Sequence, residues 1–257
     1  MPYVKLDKAR IYYEIYGSGQ PLVFVHPPVM GQLTFQSQRS LAKHYQVIFI
    51  DLFNSGKSTK HVSASEVEVP YLAQMINNVL TKMNIQSAVI CGYSNGGSVA
   101  TEFALTYPAR TDGLILIGGF PEVSSFLLEK EFKLGIWAAK KELLALFALA
   151  LPKAHFRSKR EQKEMGRWIK RADANVLKDM YEAGERYVAT ERLKQLSVPV
   201  LTIYGKRDLF STPYIVYFLQ EVKQIDVVIV SQVAHQVPTK TPEECNAIIH
   251  QWMVRHF

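Results

Sequence analysis

The sequence predicts an α/β fold: a mostly parallel, twisted sheet with helices on both faces and a helical cap inserted between sheet strands. Three observations carry that prediction. Short, continuously apolar runs (PLVFVH, QVIFID, SAVICG, DGLILIGG) read as strands buried on both faces. They alternate with segments of helical periodicity, as strands joined by crossover helices do. The alternation then stops. From Phe120 to about Leu196 only helical spacing is seen, and strands resume with VPVLTIYGKRD and IDVVIVSQVAH.

Taken in order, YVKLD and RIYYEIYG read as strands joined by a turn around Lys8, the second with period-two alternation. GSGQP is a turn leading into PLVFVH, and FQSQRSLAKHY reads as a short helix before QVIFID. In SASEVEVPYLAQMINNVLTKMN, Leu72, Met75, Ile76, Val79, Leu80 and Met83 share one side of a helix. GGSVATEFALTYPAR is a helix stopped near Pro108, and the chain closes with a helix from about Pro242 to Arg255. The whole is expected to be one domain, residues 1–257, with a cap over 121–195 punctuated at Pro121, Pro152, Gly166 and Gly184.

Composition narrows the function classes. With 257 residues, 48% hydrophobic and 21% charged, the chain has the balance of a soluble globular protein with a sizeable core. The N-terminus shows no apolar h-region, and no run of about 18 apolar residues occurs, so neither a signal peptide nor stable membrane insertion is expected. Cys91 ends an apolar strand and reads as a buried thiol, and Cys245 sits in a helical pattern. Neither implies a disulfide framework, which fits a cytoplasmic setting. The net charge of +7 is concentrated: residues 126–194 carry 16 Lys/Arg against 10 Asp/Glu, which is +6 of the total. These charges interleave at helical spacing, the mark of a solvated helix face and not of a nucleic-acid site. The basic cap still offers a surface to an anionic substrate or a protein partner. No metal-ligand spacing occurs, and NSGKST lacks the upstream glycine of a P-loop, so no metal and no cofactor is expected.

The sharpest local signal is CGYSNGGSVA. A buried strand runs into Gly92-Tyr93-Ser94-Asn95-Gly96 and then a helix, which is G-x-S-x-G in the strand-turn-helix context that gives the motif meaning. So tight a turn strains the backbone at its apex, and glycines without a Cβ let strand and helix approach. Ser94 is pushed outward at a helix N-terminus, where negative charge is favoured. A serine hydroxyl needs a base. His235, on the loop after the last strand, is the best placed, whereas His44, His61, His155, His250 and His256 read as surface residues. The base needs an acid to fix its tautomer. Asp208 ends a strand at the carboxyl edge of the sheet, where Ser94 and His235 also gather. Helix capping is its alternative role, and Asp226, which begins a strand, is the poorer candidate acid. The chain order is Ser, Asp, His.

Through these residues the chain resembles the α/β-hydrolase fold superfamily, in its serine-nucleophile, esterase-like branch. The resemblance covers nearly the whole length, through the PLVFVH loop, IDLFNSGKS, GYSNGG, the cap, VPVLTIYGKRD and AHQVPTKTPEECNAIIHQW. It implies catalytic roles for Ser94, Asp208 and His235. It also implies an oxyanion hole built from the N–H of Asn95 and an N–H of the VFVHPPVMG loop. A minority of cap residues would roof an apolar acyl pocket, with Phe120 and Trp137 as candidates. The chain departs from the family pattern in three places. D-x-R-G-x-G-x-S reads DLFNSGKS from Asp51, without its arginine and first glycine; Ala234 replaces the glycine before the histidine; and the oxyanion loop begins His26-Pro27-Pro28. Pro28 has no N–H, so Val29 is assigned as donor on a loop that two prolines hold without an ordering cost. The competing reading, a missing donor, costs on the order of 100- to 1000-fold in rate.

The resemblance implies hydrolysis of a small or medium-sized carboxylic ester, a small-molecule substrate, through an acyl-enzyme. A ligand receptor or regulatory protein with little turnover is the alternative, and C–C bond hydrolysis of vinylogous diketones a further one. The serine argues against the dehalogenase and epoxide-hydrolase branches, which place a carboxylate there, and the absence of H-G-G-P-G argues against a proline peptidase.

Overall fold

The computed structural model describes all residues except Met1, Asp7, Lys8 and His61; the turn expected at Lys8 and the position expected for His61 lie outside the described residues. The strands are β1 (Tyr3–Leu6), β2 (Ala9–Tyr16), β3 (Pro21–Val25), β4 (Gln46–Ile50), β5 (Ala88–Tyr93), β6 (Thr111–Ile117), β7 (Val200–Gly205) and β8 (Ile225–Val230). Among the described residues they form one eight-stranded sheet in the order β1-β2-β4-β3-β5-β6-β7-β8. β1–β2 and β2–β4 pair antiparallel, and every later pair is parallel.

The helices are α1 (Val69–Lys82), α2 (Asn95–Thr106), α3 (Phe126–Lys140), α4 (Leu144–His155), α5 (Lys159–Ile169), α6 (Ala174–Arg186), α7 (Ile215–Glu221), α8 (Val237–Lys240) and α9 (Pro242–His256). Alternate strand residues feed two apolar layers. Val23, Val25, Ile48, Ile50 and Ile90 pack with Ile76, Leu80 and Phe103 on one face; Leu22, Phe24, Phe49, Val89 and Cys91 pack with Ile249 and Trp252 on the other. Burial on both faces is why these strands are continuously apolar. Cys91 and Cys245 are both buried free thiols. No helix among the described residues is long and apolar enough to cross a membrane.

α3 to α6 fill the stretch between β6 and β7 where strand signals fail. Three of the expected breakers lie inside these helices instead of between them: Pro152 in α4, Gly166 in α5 and Gly184 in α6. Pro152 falls near the end of α4, where its missing N–H frees the carbonyl of Ala148. That carbonyl faces Gly166, where a Cβ would stand 2.8 Å from it, so the glycine admits close packing of α4 on α5. The helix expected at FQSQRSLAKHY is a 3-10 segment, Gln32–Lys43, kinked at Phe35. Its hydroxyls bond backbone carbonyls locally, Thr34 to Gly31 O (2.8 Å) and Ser40 to Ser37 O (3.1 Å), which competes with α-helical bonding.

The packing that matters most for the site is that of α2 against β3 and β5. A Cβ on Gly92 would lie 2.6 Å from Gly96 O, and one on Gly96 would lie 2.3 Å from Val25 O. Both glycines are therefore required by backbone proximity, not by conformation alone. Gly96→Ala is expected to lower Tm by roughly 6 °C or more, as a loss of about 3 kcal/mol does at this chain length. An unchanged Tm in a calorimetric scan would show that helix and strand part there at little cost.

Candidate active site

Ser94 joins β5 to α2 at φ 53, ψ −129, a conformation that side-chain-bearing residues avoid. Its N–H is anchored on Ile117 O of the neighbouring strand at 2.9 Å, and its carbonyl receives Gly97 N at 2.8 Å. Asn95 begins α2, so its backbone N–H is one of the helix's unsatisfied donors. The side chain of Asn95 is covered by the cap: Gly184 of α6 lies so close that a Cβ there would sit 2.6 Å from Asn95 Nδ2.

His235 and Asp208 are directly bonded, with Nδ1 donating to Asp208 Oδ2 at 2.7 Å. Asp208 is itself cradled. Its Oδ1 accepts from the N–H groups of Phe210 (3.0 Å) and Ser211 (3.1 Å), and its Oδ2 from the Ser211 hydroxyl. Burial pushes its pKa up, but the His235 bond and charge and the Ser211 bonds outweigh burial and hold it below the ordinary carboxylate value. For His235, burial lowers the pKa, and the bond to Asp208 with the charges of Asp208 and Glu131 outweighs it, leaving the pKa raised. The imidazole is packed from two sides. The Tyr93 ring lies 5.2 Å away at 33°, and Gly118, at φ 57, leaves room that a Cβ would take 2.8 Å from His235 Cε1.

The loop after β3 explains its own prolines. Met30 N donates to Pro27 O at 3.4 Å, closing a turn over Pro27-Pro28-Val29-Met30, with Val29 at φ 59. Proline at the second place and positive φ at the third are the marks of a type II turn. Valine occupies a position that favours glycine, so this turn is strained. Val29 is buried, and its N–H has no acceptor among the described residues. Two buried side chains hold the loop. His26 Nδ1 donates to Pro27 O (2.7 Å) while Nε2 accepts from Leu52 N (2.9 Å), and burial lowers its pKa to about 4, keeping it neutral. Asp51 accepts from Gln32 N (2.7 Å) and Lys57 N (2.9 Å), with burial pushing its pKa up to about 7. Where the family pattern has its glycine, Asn54 at φ 57 clamps the cap, bonding Asp173 O (2.8 Å) and Asp173 N (2.6 Å).

A cavity of about 240 Å³ opens between this edge and the cap. Ser94, Asn95, His235 and Gln236 line it from the sheet side with Pro27, Pro28 and Met30 of the loop; Leu128, Glu131 and Phe132 of α3, Leu151 and His155 of α4 and Tyr181 of α6 line it from the cap. Ser94, Asn95 and His235 thus share one cavity, with Asp208 buried behind His235. The two cap residues expected to line it do not. Trp137 is 51% exposed, because α3 buries Leu128, Phe132, Gly135 and Ala139 and turns Trp137 away. Phe120 is buried one layer out, with its ring 5.9 Å from that of Phe132, which lines the cavity. His155 is a second correction. Expected on the surface, it is only 5% exposed and faces the cavity at the end of α4. Glu131 and Ser211 were not singled out in the sequence; both sit at helical or loop spacings that carry no signal of their own.

Comparison with known proteins identifies the family and the fold. The profile of the alpha/beta hydrolase fold family matches residues 30–237. A putative carbamate hydrolase, RutD, from Azorhizobium caulinodans is 26% identical, over 97% of this chain and 97% of its own. A pimeloyl-[acyl-carrier protein] methyl ester esterase from Aeromonas salmonicida is 30% identical over 76% of this chain and 80% of its own. Among solved structures, an esterase from Thermogutta terrifontis superposes with a TM-score of 0.83 at 22% identity, over 97% and 95% of the two chains. An enol-lactonase from Burkholderia xenovorans superposes with a TM-score of 0.86 at 17% identity, over 98% and 100%. The chain is an alpha/beta hydrolase and belongs to the alpha/beta hydrolase fold family.

Proposed function

We propose that the protein is a serine hydrolase that cleaves a carboxylic ester through an acyl-enzyme. The observation that carries this reading is the strained Ser94 at a helix N-terminus, in one cavity with a His235 whose Nδ1 proton is committed to Asp208. That commitment leaves Nε2 as the ring's basic nitrogen. Ser94 Oγ attacks the ester carbonyl as His235 Nε2 takes its proton, and ionised Asp208 stabilises the imidazolium. Negative charge moves onto the carbonyl oxygen, for which Asn95 N–H and Val29 N–H are the donors. His235 then protonates the departing alcohol, and water, activated by the same histidine, releases the acid. The relatives, named as a carbamate hydrolase and a methyl ester esterase, support hydrolysis at a carbonyl carbon bearing a heteroatom.

Steady turnover of p-nitrophenyl butyrate by the wild type is expected, with kcat falling by at least about a thousandfold in Ser94→Ala. Turnover that survives the substitution would overturn the reading. The pH profile follows from the raised pKa of His235. The base form is populated only as pH climbs, so kcat/KM rises with pH through an apparent pKa above that of an ordinary histidine. The groups facing that ring are Asp208, Glu131, His155 and Tyr93. Glu131→Gln removes one of the two negative charges, and the acid limb moves to lower pH. An unmoved limb would show that the Glu131 charge does not bear on the group whose ionisation sets it.

A further inference from the structure

The cavity lining is mainly apolar, and it also carries polar groups at its cap side that the proposed reaction does not use. His155 is 5% exposed and lies in the cavity wall. Its Nδ1 is 3.3 Å from Thr239 Oγ1, and that hydroxyl spends its own proton on Gln236 O at 3.3 Å. Thr239 therefore accepts from Nδ1–H, which leaves Nε2 a bare lone pair with no protein partner among the described residues. Burial, with the charges of His235 and Lys240, lowers the pKa of His155 to about 3, so this ring stays neutral and Nε2 stays an acceptor. Glu131 of α3, an exposed residue, adds a carboxylate to the same wall. The buried Asn95 Oδ1 also has no partner. Among the described residues lining the cavity there is no lysine or arginine. Of these acceptors Asn95 Oδ1 is fully buried, as is the unpartnered Tyr93 hydroxyl of the same lining, whereas His155 Nε2 and the Glu131 carboxylate are open to the cavity, where donors on an occupant reach them.

We propose that the cap wall of this cavity recognises a hydrogen-bond donor, an ammonium or a hydroxyl, on the substrate's acyl chain, with His155 and Glu131 as the specificity-determining residues. This rests on the ester-hydrolase reading. The acyl part stays bonded to Ser94 through the intermediate while the alcohol leaves, so the group held beneath the cap belongs to the acyl chain. A terminal carboxylate is disfavoured, because it would meet Glu131 with no cation to offset it. The +6 charge of the cap segment does not alter this, since its lysines and arginines lie outside the cavity lining.

The test is a set of p-nitrophenyl esters of equal chain length: 6-aminohexanoate, 6-hydroxyhexanoate, hexanoate and hydrogen adipate. In the wild type, kcat/KM for the amino and hydroxy esters is expected to exceed that for hexanoate by roughly tenfold or more, with the adipate lowest. His155→Leu removes the preference for the hydroxy ester over hexanoate, and His155→Gln, which keeps an acceptor, restores part of it. Glu131→Gln collapses the amino-to-adipate ratio. Equal rates for all four esters in the wild type would overturn the inference. So would variants that lower every ester alike, the mark of a merely structural role. Calorimetric binding of 6-aminohexanamide and adipamate to Ser94→Ala separates the two readings without turnover. Selective binding of the amine supports the inference even where no ester is cleaved, and equal or absent binding of both overturns it.

Discussion

The site depends on how closely α2 is held against β3 and β5. Strand and helix backbones meet through Gly92 and Gly96 with no room for a methyl group. The residue between them must then turn the chain in the space of one peptide, and Ser94 pays with a positive φ. Such a conformation costs about 1–3 kcal/mol and persists only where the surroundings over-determine it. Here they do. Ser94 N–H is fixed on β6, Ala100 and Phe103 of α2 are fully buried, and α6 of the cap presses a glycine onto Asn95. The serine is exposed to the cavity because the packing leaves it nowhere else to go.

The same logic extends to the neighbouring loop, which departs from its family pattern without losing rigidity. Pro28 presets one corner of a turn, and the cost of Val29 at φ 59 is offset by its burial among Met30, Leu33, Met165 and Ile169 beneath the cap. His26 and Asp51 supply the hydrogen bonds on either side of that turn. Asn54, standing where the pattern has a glycine, ties the loop after β4 to the cap through both its amide atoms. Val29, Met30 and Leu33 of this loop thus share one apolar cluster with the cap.

The fold was legible because burial on both faces writes itself as unbroken apolar runs, and the alternation of those runs with helical periods leaves few topologies. Ser94, Asp208 and His235 stand out in the sequence as candidates because each follows the carboxyl end of a strand, where topology gathers residues; in the structure His235 bonds Asp208 and shares a cavity with Ser94. The cap resisted for a physical reason. Helical spacing tells that a residue lies on a face, not which of several neighbours that face meets. Trp137 and Phe120 are apolar cap residues at helical spacing, yet one faces outward while the other supports Phe132. His155 looked like an ordinary polar position on a helix, and only the packing of α4 over the sheet edge turns it inward, whereas Glu131 lines the cavity while remaining exposed. Pro152, Gly166 and Gly184 looked like breaks, yet they mark helices packed closely on one another or on the sheet edge.

Two strained turns stand side by side at this edge: one carries Ser94 into the cavity lining, and the other holds Val29, buried behind the lining residues Pro28 and Met30, while His235 in the same lining is bonded to the buried Asp208. The central claim is that Val29 and Asn95 act as paired donors beside Ser94. The most direct measurement is a crystal structure of the protein after reaction with a small alkyl fluorophosphonate. The account predicts a phosphorus–oxygen bond to Ser94 Oγ, with one phosphoryl oxygen within about 2.7–3.1 Å of both Asn95 N and Val29 N. An adduct on Ser94 whose phosphoryl oxygen meets Asn95 N alone, with Val29 N turned away, would contradict it.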